Sequence, residues 1–149
     1  MAIGERINFF RRRNNLTMNA LGRMLGFDAK GADVRIAQYE NNSRKPKADL
    51  TRSMADVFGV APEALAVPDI DTYKGLIHTL FALEDMYGLT VDKMDDVVCL
   101  HLDKFVTQPG SLLWTLFDDW YDIKDKYIHG RISKEEYDHW RYNFLSHEK

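Results

Sequence analysis

The first 67 residues are cut by turn signals into five short segments, each with the apolar spacing of a helix. That punctuation limits the fold more than any other feature of the chain. Ile3, Ile7 and Phe10 recur at i, i+4 and i+7 and predict a helix from about Ile3 to Asn14, broken by Asn14-Asn15. Thr17 is a good N-cap for a second helix with Leu21, Met24 and Leu25 inward, and Gly26 is its stop. Asp28 to Gly31 reads as a turn and Ala32 to Asn41 as a third helix. Pro46-Lys47-Ala48-Asp49 opens a fourth, with Leu50, Met54, Val57 and Phe58 inward and Gly59 closing it. Pro62 starts a short fifth through Leu65 and Val67, and no strand signal interrupts the series.

Beyond Val67-Pro68-Asp69-Ile70-Asp71, read as a junction, the pattern changes. Asp71 or Thr72 caps a longer helix to about Tyr87, whose wide apolar stripe suits packing on more than one side, and Gly88 ends it. Leu89 to Lys93 and Val97 to Asp103 read as two strands around Asp95-Asp96, with Val98, Leu100 and Leu102 at period two. Ser111 caps a helix carrying Leu112, Leu116, Phe117, Trp120, Tyr121 and Tyr127 to Gly130. Ser133-Lys134-Glu135-Glu136 is a capping box that opens the last helix. The expected division is residues 1–68 and 69–149.

Charge divides the chain in the same way. Residues 1–68 hold eleven Lys and Arg against seven Asp and Glu, and residues 69–149 hold nine against sixteen. A basic half joined to an acidic one suggests a polyanion-binding module and a second module with another task. No apolar run approaches the ~20 residues that span a bilayer, and no signal peptide opens the sequence. The lone Cys99 excludes an internal disulfide framework and a thiolate zinc site, so a cytoplasmic location is expected.

Several residues in register carry a resemblance. They are Ile3-Gly4-Glu5-Arg6-Ile7 and Arg11, then Leu16-Thr17, Leu21 and Leu25-Gly26-Phe27, then Ile36-Ala37-Gln38-Tyr39-Glu40-Asn41 and Arg44-Lys45-Pro46, and finally Leu50 and Met54 to Val60. Over about Ile3 to Leu65 this set resembles the lambda-repressor-like (Cro/Xre-type) helix-turn-helix regulators. The fold class implied is mainly α: a five-helix domain of that type, followed by a small α+β domain of a helix, a β-hairpin and two helices. The resemblance implies that the third helix enters a DNA major groove with its outward side chains against base edges. Arg35, Gln38, Lys30 and Asp33 are the base-contact candidates, although for Asp33 a helix cap is the favoured role. Thr17 and Asn19 at the start of the second helix, with Arg44, Lys45 and Lys47 after the third, are the phosphate candidates. In the family the positions of Arg11 and Glu40 form a salt bridge, which implies an architectural pair here. Arg12 and Arg13 are left with general electrostatic attraction or no role.

Two departures stand out. The family's second helix usually begins with Gln, where this chain has Met18. The spacing from Gly26 to Ile36 is about four residues longer than usual, so Asp28 to Gly31 must bulge out or lengthen the third helix.

In the acidic half, Asp92, Asp95, Asp96, His101 and Asp103 are a conceivable metal cluster, but they read better as a solvated turn. There is no His-Glu-x-x-His, EF-hand spacing or phosphate loop, so no enzyme, catalytic residue, metal or cofactor is expected. The aromatics crowding the last two helices fit a core or an interface. The expected partners are double-stranded DNA and a second copy of the chain, with a protein or small-molecule effector at the C-terminal domain and no membrane. The reading is a DNA-binding regulator, a repressor in preference. An antitoxin or adaptor whose acidic half holds a partner protein is the alternative.

Overall fold

A computed structural model describes residues 2–66, 70 and 72–144. The order is α1 (Ala2–Arg13), α2 (Met18–Met24), α3 (Ala32–Glu40), α4 (Ala48–Phe58), a 3-10 turn (Pro62–Ala64), α5 (Tyr73–Tyr87), β1 (Leu89–Met94), β2 (Val97–Leu102), α6 (Leu112–Ile128) and α7 (Lys134–Tyr142). The architecture is mainly helical with one antiparallel hairpin. Most of the junction residues, Val67, Pro68, Asp69 and Asp71, lie outside the described set. The expected fifth helix is a single 3-10 turn, with Pro62 in its first turn and Ala61 before it in extended conformation.

Two compact units make up the chain: Met1–Asp71 with Asp138–Lys149, and Thr72–Tyr137. The last helix, read from the sequence as part of the C-terminal half, is therefore divided, with Asp138 onward grouped in the first unit. In that unit Ile7, Phe10, Leu21, Ile36, Met54 and Leu65 are fully buried. Each such side chain contributes about 1.5–3 kcal/mol relative to staying in water. Leu16, Met18 and Leu25 flank this core half-buried, whereas Met24, expected inward, is exposed. The apolar positions Met18, Leu21, Met24 and the C-cap Leu25 are more than one face can bury, and Leu21 and Leu25 take the inner one.

The Tyr142 segment seals the same core from the other side. The Tyr142 ring meets Phe10 edge-on at 4.9 Å and Phe9 at 6.3 Å. Its carbonyl accepts from the Ala61 N–H at 2.9 Å, and Asn143 Nδ2 donates to the Gly59 carbonyl at 3.3 Å. Arg6 lies 4.8 Å from the Phe10 ring centroid and 5.8 Å from that of Tyr142, and its Nε donates to the Ala64 carbonyl at 3.0 Å. Burial there pulls the Arg6 guanidinium below its ordinary pKa. Asp138, nearly buried, pairs with Arg13 at 2.7 Å and Arg141 at 2.6 Å. Arg13 thus has a structural partner that its place in a basic run does not reveal. Tyr142→Ala is expected to destabilise the first unit by about 2 kcal/mol, below the ~3–5 kcal/mol of a fully buried aromatic because Tyr142 is half-buried. Urea unfolding followed by circular dichroism measures it, with exposed Arg12→Ala as the neutral control.

The second unit is built from local signals. Thr72 caps α5 by accepting from the Gly75 N–H at 3.0 Å. Gly88 closes it at φ 67°, where an added Cβ would lie 2.6 Å from Val106 Cβ. Asp95 and Asp96 both take positive φ, 47° and 65°, the conformation of a two-residue hairpin turn whose twist matches its strands. The register pairs Leu89 with Leu102, Val91 with Leu100 and Lys93 with Val98. Tyr137 is buried, stacked on Tyr127 at 5.1 Å and accepting through its hydroxyl from Trp120 Nε1 at 3.0 Å. The capping box forms: the Glu136 N–H donates to Ser133 Oγ at 3.1 Å and the Ser133 N–H to Glu136 Oε2 at 2.7 Å. The latter bond holds the Glu136 carboxyl below its ordinary value of 4.5. Among the described residues no helix is long and apolar enough to cross a membrane.

Candidate nucleic-acid interface

The site is assembled around the α2–α3 pair, and the closeness of that pair follows from one residue. Gly22 faces Ala32 so tightly that a Cβ on it would stand 2.7 Å from Ala32 Cβ and 2.9 Å from its carbonyl oxygen. Ala32 is completely buried there. The longer connection does not lengthen α3. It forms a separate turn in which Gly26 takes φ 80°, the Gly31 N–H donates to the Asp28 carbonyl at 3.0 Å and Asp28 Oδ1 accepts from the Lys30 N–H. Asn19 braces this turn by donating one Nδ2 proton to the Ala29 carbonyl at 3.0 Å, which leaves the second to donate elsewhere. Thr17 is the N-cap of α2, its Oγ1 accepting from the Ala20 N–H at 3.0 Å, which leaves the hydroxyl proton to donate elsewhere.

Helix α3 is held from beneath. Ile36 and Tyr39 are buried in the core. Glu40 at its end accepts from Arg11 Nε and Nη2, the latter at 3.0 Å, and from Asn8 Nδ2. Arg11 Nη1 also donates to the Leu16 carbonyl at 2.8 Å, so one guanidinium ties α1 to the α1–α2 turn and to α3. Both partners are almost fully buried, and the Glu40 bond raises the Arg11 pKa above its ordinary value.

The opposite side of α3 is open. Asp33, Val34 and Arg35 are exposed and Gln38 is half-buried. Arg35 is steadied by the Phe27 ring, whose centroid lies 4.8 Å from its Cζ. Asp33 is not the cap favoured from sequence: Gly31 holds that position without a side-chain bond, and Asp33 lies inside the first turn. Val34, 56% exposed, was missed, because an apolar residue among polar ones reads as a core position. The neighbouring buried Ala32, Ile36 and Tyr39 put it on the outer face instead.

Beyond α3, Asn42 at φ 61° turns the chain, and the Arg44 N–H closes on the Gln38 carbonyl at 3.0 Å. Arg44, Lys45 and Lys47 are exposed around buried Pro46, as is Lys30 in the inserted turn. Met18 at the head of α2 packs half-buried against the core, so it offers no polar group at that position.

The second unit carries an open cavity of about 640 Å³ lined chiefly by Leu100, Leu102, Phe105, Trp114, Phe117 and Tyr121. Within the acidic hairpin, Asp92 and His101 approach one another, both exposed and 3.9 Å apart. No group of three His, Cys, Asp or Glu side chains able to hold a metal ion occurs among the described residues.

Residues 4–66 match the family model of a helix-turn-helix domain. Among solved structures the chain is similar to one titled "Crystal structure of transcriptional regulator BswR", at 22% identity and a TM-score of 0.43, over 56% of this chain and 93% of that one. No curated protein matches the chain.

Proposed function

We propose that this chain, whose residues 4–66 match the family model of a helix-turn-helix domain, is a sequence-specific DNA-binding regulator that represses by occupying promoter DNA against polymerase. The observation that supports this reading is the outer face of α3. Val34, Arg35 and Gln38 lie on one open surface, flanked by the exposed cations Lys30, Arg44, Lys45 and Lys47. A helix presented in this way fits a major groove. Arg is suited to a bidentate contact with guanine, Gln to one with adenine and an apolar side chain to a thymine methyl. Arg44, Lys45 and Lys47 supply attraction to phosphate without reading sequence, and Thr17 adds a neutral donor. Lys30 is placed with the cations, and Asp33 is left at the rim of the face. A second copy on a neighbouring half-site multiplies the affinity of one small domain.

Gel shifts against genomic fragments test the proposal, and salt-insensitive binding or none at all would sink it. On a selected site, Arg35→Ala is expected to lose about 1–3 kcal/mol and relax preference at one base pair. Lys45→Ala should weaken all sequences alike and lower the salt slope by about one.

A further inference from the structure

Helix α5 carries an apolar stripe that nothing in its own unit covers. Leu76, Leu80 and Leu83 are half-buried, while Tyr73, Ile77 and Phe81, about 90° further round the helix, are 89%, 45% and 52% exposed. No residue of this fifteen-residue helix is fully buried, and the same holds for α6. The hairpin adjoining α5 adds to the uncovered surface. The face that buries Leu102 at one end is bare at Val91, Leu100 and Val98. Soluble monomers rarely leave more than a few hundred Å² of contiguous apolar surface open.

Charge placement names the occupant. Lys74 stands in the first turn of α5 and Asp85 in the last, on the same flank of the stripe, and no charged residue lies between Lys74 and Glu84. A helix that is positive at one end, negative at the other and apolar between is complementary to itself when reversed. We infer that α5 is a self-association surface on which the α5 of a second copy lies antiparallel. The twofold axis passes at the level of Thr79 and Leu80. Ile77 and Phe81 then interleave with the same residues of the second copy, and each Lys74 faces the other copy's Asp85. Because a twofold interface repeats every contact, two ion pairs form at its ends. This inference deepens the two-half-site reading above, but it is measured without DNA.

Sedimentation of the full chain tests it. The wild type is expected to be a dimer at micromolar concentration. Phe81→Glu, at an exposed position where folding is not at stake, is expected to weaken association at least ~30-fold. Lys74→Glu should weaken it by setting like charges opposite one another, and Lys74→Glu with Asp85→Lys should restore it. A monomeric wild type overturns the inference and leaves the stripe to a different protein. A dimer indifferent to Phe81→Glu overturns the surface, and failure of the double exchange overturns the antiparallel register. A dimer that binds no DNA would sink the regulator reading alone, and a monomer that binds DNA would sink only this one.

Discussion

Replacing Glu40 with Ala is expected to remove about 3–5 kcal/mol from the stability of the first unit, the largest single loss available outside its apolar core. The cost is not that of a missing salt bridge. Arg11 and Glu40 have side chains only 9% and 6% exposed, so the variant keeps a guanidinium in a place with little water and removes its counter-charge. Asn8 loses an acceptor at the same time. A surface pair such as Arg52–Asp49, 3.8 Å apart and largely exposed, sets the contrast: Asp49→Ala should change stability by less than ~0.5 kcal/mol. Two further variants separate pairing from packing. Glu40→Gln keeps the shape and most hydrogen bonding and should fall between. Arg11→Met with Glu40→Leu removes both charges and should recover most of the loss, because burial of an ion pair gains little over burial of two apolar side chains. Urea unfolding measures all four. A Glu40→Ala chain within 1 kcal/mol of wild type would show that Arg11 reaches water on its own. DNA binding should fall in step with the unfolded fraction and return on cooling, since Glu40 touches no exposed surface of α3.

Such a pair lies near the limit of what the sequence discloses. Caps and stops are local, so Thr17, Gly59, Thr72, Gly88, Ser111 and the Ser133–Glu136 box are legible from neighbouring residues and recur in the structure. The hairpin is legible for the same reason, with period-two apolar spacing in Val98, Leu100 and Leu102 after Asp95-Asp96. Periodicity shows that a helix has an apolar face but not which partner covers it. The aromatics of α7 therefore looked alike, whereas Tyr137 stacks on Tyr127 and Tyr142 packs against Phe10. That long-range choice also gives Arg13 its partner.

The site was legible in outline for a different reason. The exposed state of Arg35, Arg44, Lys45 and Lys47 follows from polar residues at the ends of a short helix. The exposure of Val34, the engagement of Asn19 by Ala29 and the Gly31 cap all depend on where the inserted turn runs. Turn geometry is set by backbone bonds that no residue pattern in this segment specifies.

The inserted turn makes the α2–α3 pair the most sensitive part of the interface, and Gly22 is where it should break. Gly22→Val is expected to lower DNA affinity ~100-fold or more, at least as much as a typical single exposed contact residue. Even the first carbon of the new side chain would stand 2.7 Å from Ala32 Cβ, 2.9 Å from its carbonyl oxygen and 3.0 Å from its Cα. Two of those three atoms are backbone, so no rotamer of α3 relieves the contact and the helix itself must move. Overpacking of this kind costs about 1–3 kcal/mol in stability. The larger effect is geometric. Under the proposed DNA-binding role, a shift of α3 by ~1 Å relative to α2 takes Val34, Arg35 and Gln38 out of register with base edges while the cations after α3 keep their attraction to phosphate. Binding that remains should therefore be weak, salt-dependent and indifferent to sequence. Gly22→Ala should show a smaller loss of the same character. Gly31→Ala is the control, because nothing lies within 4 Å of a Cβ there and the backbone φ is −130°. Titration of a selected site against a scrambled one, beside urea unfolding of each variant, separates the two effects. Equal losses on both sequences, matched to the drop in stability, would show that Gly22 matters only for folding. A selective loss on the specific site would show that this close approach sets the angle at which α3 meets DNA.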